Sequence, residues 1–334
     1  MDIGIDLGTV NIIITMSGRG IVLNEPSCIA YNKKTAEVIA VGREAYRMEG
    51  KTPDYITVIR PLEDGVISDH NMTQTMIQHF IERVTGKQLL MPDIIMCIPS
   101  SITDVENRAV VEAAKTAGAK KVWLLEEPLA ALIGAGADIS RPNGNMVIDF
   151  GGGTTDIAVV SMNGIVVRQS VRVAGNKLDK AIVKFLSSRY KLLIGEKTAE
   201  AAKIAITNIF QPDGSKRFAV KGRHIVRGLP EKVEISDFDI YEAIIDTVSE
   251  IVFCAKSVLE QTPPELVADI FENGIYLTGG GALLGGLPEY LTTELHAPCI
   301  VANRPLDCVA NGAMKAFTKI ESLLDGFEYI SMLK

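Results

Sequence analysis

Histidine is scarce in this chain, four in 334 residues, and His70, His79, His224 and His296 are scattered. That spacing argues against a zinc site. Cysteine is little more common. Cys28, Cys97, Cys254, Cys299 and Cys308 are odd in number and no two stand close together. A disulfide framework and a cysteine metal site are therefore set aside, and reduced core thiols in a cytoplasmic protein are expected. No apolar run approaches transmembrane length, and the first residues lead straight into a strand. Neither a membrane span nor a signal peptide is expected. Basic excess is missing too: the net charge is -7, which argues against nucleic acid as the main partner. Low-complexity linkers are absent. At 47% hydrophobic and 22% charged residues the chain reads as globular, and it is long enough for two domains.

What the chain has is glycine in three special places. Met146 to Val160 reads as strand, glycine turn, strand, with Asp149 followed by Gly151, Gly152, Gly153, Thr154 and Thr155. Glycines lack the Cβ that keeps a backbone away from an anion, and they permit φ > 0. Such a turn can aim N–H groups at a phosphate, while Asp149 is placed to hold a hydrated Mg²⁺. The plainer reading is a glycine-rich hairpin with no ligand. Against it, the pattern recurs. Ile3 to Leu23 carries Asp6-Leu-Gly-Thr9, an apolar strand and a Gly18/Gly20 turn, and Ile148 to Val167 repeats that layout. Self-similarity over about 140 residues suggests a duplicated domain, with two turns clamping a polyphosphate. A third turn, Gly279-Gly280-Gly281-Ala282, follows a strand at Gly274 to Leu277 and precedes an expected helix whose N-terminus faces an anion or a nucleobase.

Elsewhere, strands are expected at 38–41, 94–98, 122–125 and 299–301, and a strand pair at 165–173. Further strands are expected at 218–226, around Lys221-Gly222. Helices are expected at 43–49, 72–84, about 103–117, 129–134, 178–190, 198–209, 236–259 and 306–324. Thr103 and Glu106 have capping-box spacing, Ser236 caps the long helix, and Thr262-Pro-Pro-Glu265 is expected to end it. Strands alternating with helices, twice over, give an α/β protein of two similar domains around a cleft.

Three features keep two readings each. Glu127, at a strand–helix corner before Pro128, complements the helix dipole or orients a water for attack on phosphate. Glu200 and Lys203, one helical turn apart, reach a nucleoside or form a solvated pair. Leu89, Leu90 and Met91 sit in a loop between Gly86 and Pro92, folded back on their own core or forming an apolar tip that enters a bilayer.

Several phrases carry a resemblance. They are Asp2 to Thr9, Gly20 to Ser27, Ile59-Arg-Pro-Leu62 with Asp64 to Ile67, Glu126 to Leu129 with Ile133 to Gly136, Asp149 to Asp156, Leu192 to Glu196, Thr262 to Leu266 and Thr278 to Leu284. Through them the chain resembles bacterial actin of the MreB/Mbl type over essentially its whole length. The Asp-x-Gly-Thr turn is shared with sugar kinases and chaperone ATPases, whereas Leu23-Asn-Glu-Pro-Ser27 and Thr262-Pro-Pro-Glu-Leu266 are far more specific.

The resemblance implies the actin fold, two duplicated RNase H-like domains around a nucleotide cleft. The first domain would comprise 1–140 plus 310–334, and the second 141–309. It implies ATP or ADP with Mg²⁺, slow ATP hydrolysis coupled to polymerisation, and antiparallel double filaments at the inner face of the cell membrane. There they would guide the cell-wall elongation machinery and maintain rod shape. By this resemblance Asp6 and Asp149 hold Mg²⁺ through water. Thr9, Val10 and Asn11 form the first phosphate turn and Gly152, Gly153 and Thr154 the second. Glu200, Ala201, Ala202 and Lys203 bind the nucleoside, and Gly279, Gly280, Gly281 and Ala282 form the third turn. Glu127 with Thr154 positions the attacking water, and Leu89 and Leu90 touch the membrane. The family pattern has Ala at Val10, Asp at Asn176 and often an acid near Ala205, so this chain carries less negative charge by the nucleotide. No N-terminal amphipathic helix is expected before the first strand, so membrane contact would rest on the loop. A metabolite kinase or a chaperone ATPase on the same fold are the alternatives, but neither a substrate base nor a substrate-binding domain is apparent.

Overall fold

A computed structural model of the chain describes residues 2–86 and 91–329. Leu89 and Leu90, expected from the sequence to touch a membrane, lie outside them.

The chain opens with β1 (Asp2–Leu7), β2 (Asn11–Met16) and β3 (Gly20–Pro26), a meander of isoleucine-rich strands. A small lobe follows: β4 (Ile29–Asn32), β5 (Val38–Val41), α1 (Arg43–Met48), β6 (Ile56–Ile59), β7 (Leu62–Glu63) and β8 (Val66–Ile67). Then come α2 (His70–Thr85), β9 (Asp93–Ile98), α3 (Asp104–Thr116), β10 (Lys121–Glu126) and α4 (Glu127–Ala135). The expected capping box is present: Thr103 accepts from Glu106 N, and Glu106 accepts from Thr103 N at 2.9 Å. Pro128 starts α4, where its missing N–H costs nothing.

The second half repeats the plan with β11 (Asn145–Phe150), β12 (Thr155–Ser161) and β13 (Gly164–Val171). After it come α5 (Gly175–Arg189), β14 (Leu192–Leu193), α6 (Glu196–Ile206), β15 (Arg217–His224), β16 (Pro230–Ser236), α7 (Asp237–Gln261) and α8 (Pro264–Asn273). The chain closes with β17 (Ile275–Thr278), α9 (Leu287–Leu295), β18 (Cys299–Val301), α10 (Cys308–Ala316) and β19 (Phe327–Tyr329).

Several sequence expectations need correction. The expected pair at 165–173 is one strand, β13, bulged against β12. Residues 221–222 lie inside unbroken β15, and the hairpin turns after His224. Pro263 and Pro264 do not simply stop α7; Pro264 begins α8, a helix that proline punctuation hid. The closing helix ends at Ala316 rather than 324, and the tail adds β19 beside β10. Finally, the third glycine turn enters a single 3-10 turn at Gly281–Leu283, and α9 starts only at Leu287. The dipole argument for that turn therefore lapses.

The two main sheets have equivalent strand orders: β3-β2-β1-β9-β10, with β19 at its edge, and β13-β12-β11-β17-β18. In each, the first strand is antiparallel to the second and parallel to the fourth. These strands are buried almost end to end, as expected of sheets covered on both faces.

Between the sheets, α4 and α10 cross. Each is swapped: α10 packs on β1, β2 and β9, and α4 chiefly on β11, β12 and β17. Their approach depends on two glycines. A Cβ on Gly134 would meet Cys308 O at 1.8 Å, and one on Gly312 would meet Ala130 O at 1.8 Å. No helix among the described residues is long and apolar enough to cross a membrane.

Candidate functional site

Asp6 and Asp149 each occupy the penultimate position of the first strand of their sheet. The equivalent strand orders bring both to one cleft of about 460 Å³. Thr9, Val10 and Asn11 line it from the first half, and Gly151, Gly152, Gly153 and Thr154 from the second. Gly279, Gly280 and Gly281 close one side, and Glu127, first residue of α4, reaches the floor. Glu200 and Lys203 of α6 also line it. Ala201 is exposed outside the lining, while Ala202 and Ala282 are packed into the core of the second half.

The glycine argument changes in kind. Gly151, Gly152 and Gly153 do not adopt positive φ. Gly152 and Gly153 are glycine because the opposite turn is close. A Cβ on Gly152 would meet Val10 Cγ2 at 2.1 Å, and one on Gly153 would meet Thr9 Oγ1 at 2.6 Å. Backbone bonds from Gly175 N to Gly151 O (3.2 Å) and Asn176 N to Gly152 O (2.9 Å) anchor α5 on the turn.

The cleft is strongly acidic. Asp6, Glu127, Asp149, Asp179 and Glu200 line it, and Lys203 is the sole cationic side chain among the described lining residues. That lysine is already engaged: its Nζ lies 2.8 Å from Asp179 Oδ1 and donates to Gly175 O at 3.0 Å. Burial, then repulsion from Asp149, pushes the Asp6 carboxyl up to about 8. Asp149 rises to about 7, chiefly through burial. A 2.6 Å hydrogen bond from Thr278 Oγ1 restrains that rise. Glu127 is raised well above the usual carboxylate range by burial and by Asp156, Asp6 and Asp149. Asp179 rises to about 6 through burial, opposed by Lys203.

Carboxylates forced together this way fit a divalent cation. No group of three or more His, Cys, Asp or Glu suited to direct ligation occurs among the described residues. Two acids, Asp6 and Asp149, fit a cation held through its waters. An anionic ligand has no free protein cation to meet here, so a polyphosphate fits only with a cation of its own.

Asp179, Thr278 and Ile204 were not singled out from the sequence. Asp179 lies one helical turn after Gly175, so only the placement of α5 against the glycine turn could reveal it. Thr278 meets Asp149 through the β11–β17 register, for which the sequence has no local signal. Ile204, Leu283 and Leu306 line the cleft while remaining largely exposed, at 74%, 58% and 51%. They give it an apolar end suited to a flat ring.

Two like sheets, swapped helices and glycine turns closing on a common cleft define an actin-like protein. Comparison with known proteins agrees. The family described as MreB/Mbl protein matches residues 1–325. Cell shape-determining protein Mbl of Bacillus subtilis (strain 168) is 50% identical over 312 residues, 93% of this chain and 94% of the relative. The crystal structure of MreB5 of Spiroplasma citri bound to AMPPNP superposes with TM-score 0.90 at 39% identity, covering 96% of each chain. Its ADP-bound form gives 0.91. The MamK double helical filament, 20% identical, shares the fold with TM-score 0.82, covering 95% of this chain and 98% of that one. The chain belongs to the MreB/Mbl family.

Proposed function

We propose that this chain is an ATP-dependent cytoskeletal polymer that organises cell-wall synthesis and maintains rod shape. Its two domains would be 1–140 with 310–334, and 141–309. The observation that carries the reading is the acidic cleft, where three glycine turns converge and the one lysine is tied up. Support comes from the nucleotides held by the Spiroplasma relative, from the filament formed by MamK, and from the name of the Bacillus relative. Family membership leaves the kinase and chaperone readings without support of their own.

In this reading Thr9 to Asn11 and Gly152 to Thr154 grip the phosphates from both sides, and the apolar end takes the adenine. Asp6 and Asp149 would hold Mg²⁺ through water, and bound Mg²⁺ would supply charge neutralisation for the phosphates. Glu127 and Thr154 orient the attacking water. Burial, with Asp156, Asp6 and Asp149 beside it, pushes the Glu127 carboxyl well above the ordinary carboxylate range and so disfavours the charged form a base needs; hydrolysis would be slow and would serve as a clock on the filament. Filaments would lie as antiparallel pairs at the inner membrane face beside the elongation machinery, with contact through Leu89 and Leu90. Two apolar side chains give only weak contact per subunit, roughly 1.5–3 kcal/mol each, so attachment would depend on many copies in a filament.

The test is pelleting with negative-stain imaging, with and without ATP, Mg²⁺ and liposomes. Filaments that require both ATP and Mg²⁺ are expected. Glu127→Ala should retain nucleotide and slow phosphate release by about a hundredfold or more. A monomer that binds ATP equally well in chelator, or that phosphorylates a sugar, would overturn the reading.

A further inference from the structure

The floor of the inner cleft is formed by α4 and α10, which supply Glu127 and Val309, and above it the facing turns meet, Gly152 and Gly153 against Val10 and Thr9. Beyond them lies an outer cavity of about 960 Å³ that shares Thr9, Val10, Asn11, Asn176, Asp179 and Glu200 with the inner cleft. The outer cavity takes no lining from α4 or α10, so it is the mouth of the cleft and not its floor.

Lys197, in the first turn of α6, spans this mouth. Its Nζ donates to the carbonyl of Tyr46 at 2.5 Å, stands 3.6 Å from the centroid of the Tyr46 ring and lies 3.2 Å from Glu49 Oε2. All three partners belong to the first half, on α1 and the residue after it. Arg60 braces them: Nη2 is 3.6 Å from Glu49 Oε2, and the guanidinium carbon is 5.7 Å from the same ring centroid. Nearby, Lys180 of α5 faces Glu63 of β7 at 3.8 Å, a second and looser crossing.

We propose that Lys197 is a latch that holds the two halves closed over the cleft and thereby sets how fast a bound nucleotide leaves. This rests on the nucleotide reading above. Each contact alone is weak, because Lys197 and Glu49 are partly exposed. They act together because one ammonium makes all of them, and every partner is on the far side. Opening the mouth breaks them in a single step. Tyr46 is central: its backbone oxygen and its ring both serve the lysine, while its hydroxyl serves neither contact. The arrangement resists opening without touching the inner phosphate turns, so it acts on the release rate and leaves the chemistry of the cleft alone.

The experiment compares the full chain with Lys197→Met, Lys197→Arg, Glu49→Gln and Tyr46→Phe. One readout is stopped-flow release of a fluorescent adenine nucleotide with Mg²⁺. The other, without nucleotide, is the distance between spin labels at Thr35→Cys and Ser215→Cys in a Cys299→Ser background, one label on each half. Lys197→Met should widen the distance distribution and speed release by about tenfold. Glu49→Gln should do so less, Lys197→Arg should retain most of the wild-type behaviour, and Tyr46→Phe should match wild type. Added salt should speed release from the wild type but not from Lys197→Met. Unchanged distance in Lys197→Met overturns the latch, whether or not release quickens, since faster release alone would mean that Lys197 touches the nucleotide. Should the wild type bind no nucleotide, the functional reading fails, and the label distances still decide the latch.

Discussion

The two acid–glycine turns occupy equivalent places in equivalent sheets, yet they are built differently. Thr9, Val10 and Asn11 keep full side chains, whereas Gly152 and Gly153 have none. The cross-cleft contacts explain it: the first turn's side chains occupy the space that Cβ atoms of the second would need. Duplication preserved the backbone plan, and packing across the cleft made the two copies unequal. The acids show the same divergence. At matching register, Asp6 has Cys97 on the neighbouring parallel strand and Asp149 has Thr278. Thr278 donates a hydrogen bond and Asp149 rises less; Asp6 is raised further.

The helix crossing is where the halves are most alike, and breaking it has the largest expected effect. Gly312→Ala and Gly134→Ala each drive a methyl into a backbone oxygen, and each should cost about 3 kcal/mol or more in denaturant titration. A loss under about 1 kcal/mol in either would show that the crossing is not as tight as its mate.

Next comes pH. Both acids have folded values above the ordinary carboxylate value, so the folded chain holds more protons than the unfolded one. Without cation, the stability that these two carboxyls contribute is full below about pH 4 and is lost as pH rises through 7 and 8. Asp6→Asn should remove more of this slope than Asp149→Asn, and Mg²⁺ with nucleotide should flatten it. Thermal melts from pH 5 to 8.5 decide; an equal slope in both variants would deny the role given to Thr278.

The asymmetry of the turns is tested by Gly152→Ala, which should weaken nucleotide binding by about tenfold. Adding Val10→Ala should restore most of it, because Val10 Cγ2 is the atom in the way. Failure of that rescue in a binding titration would mean that the glycine serves the ligand and not its neighbour.

Smallest is the pair of capping boxes, Thr103 with Glu106 in the first half and Ser236 with Asp239 in the second. Thr103→Ala and Ser236→Ala should each cost about 1 kcal/mol. A markedly larger loss at Thr103 is a useful departure to look for, since Glu106 there also accepts from Ile67 N at 3.1 Å.

Local chemistry was readable in advance wherever one residue type has one physical use. Continuous apolar runs marked the strands, Thr103 and Ser236 marked helix starts, and the repeated Asp-x-Gly phrases marked the duplication. Proline misled at 263–264 because the same restriction that stops one helix can start the next. The third glycine turn misled because a strand–glycine junction does not say how many helical turns follow. Neither the swap of α4 and α10, nor the bond from Thr278 to Asp149, nor the tie between Lys203 and Asp179 has any signature along the chain. Each joins residues far apart in order, or on separate elements, and such contacts exist only once strand register and helix placement have brought them together.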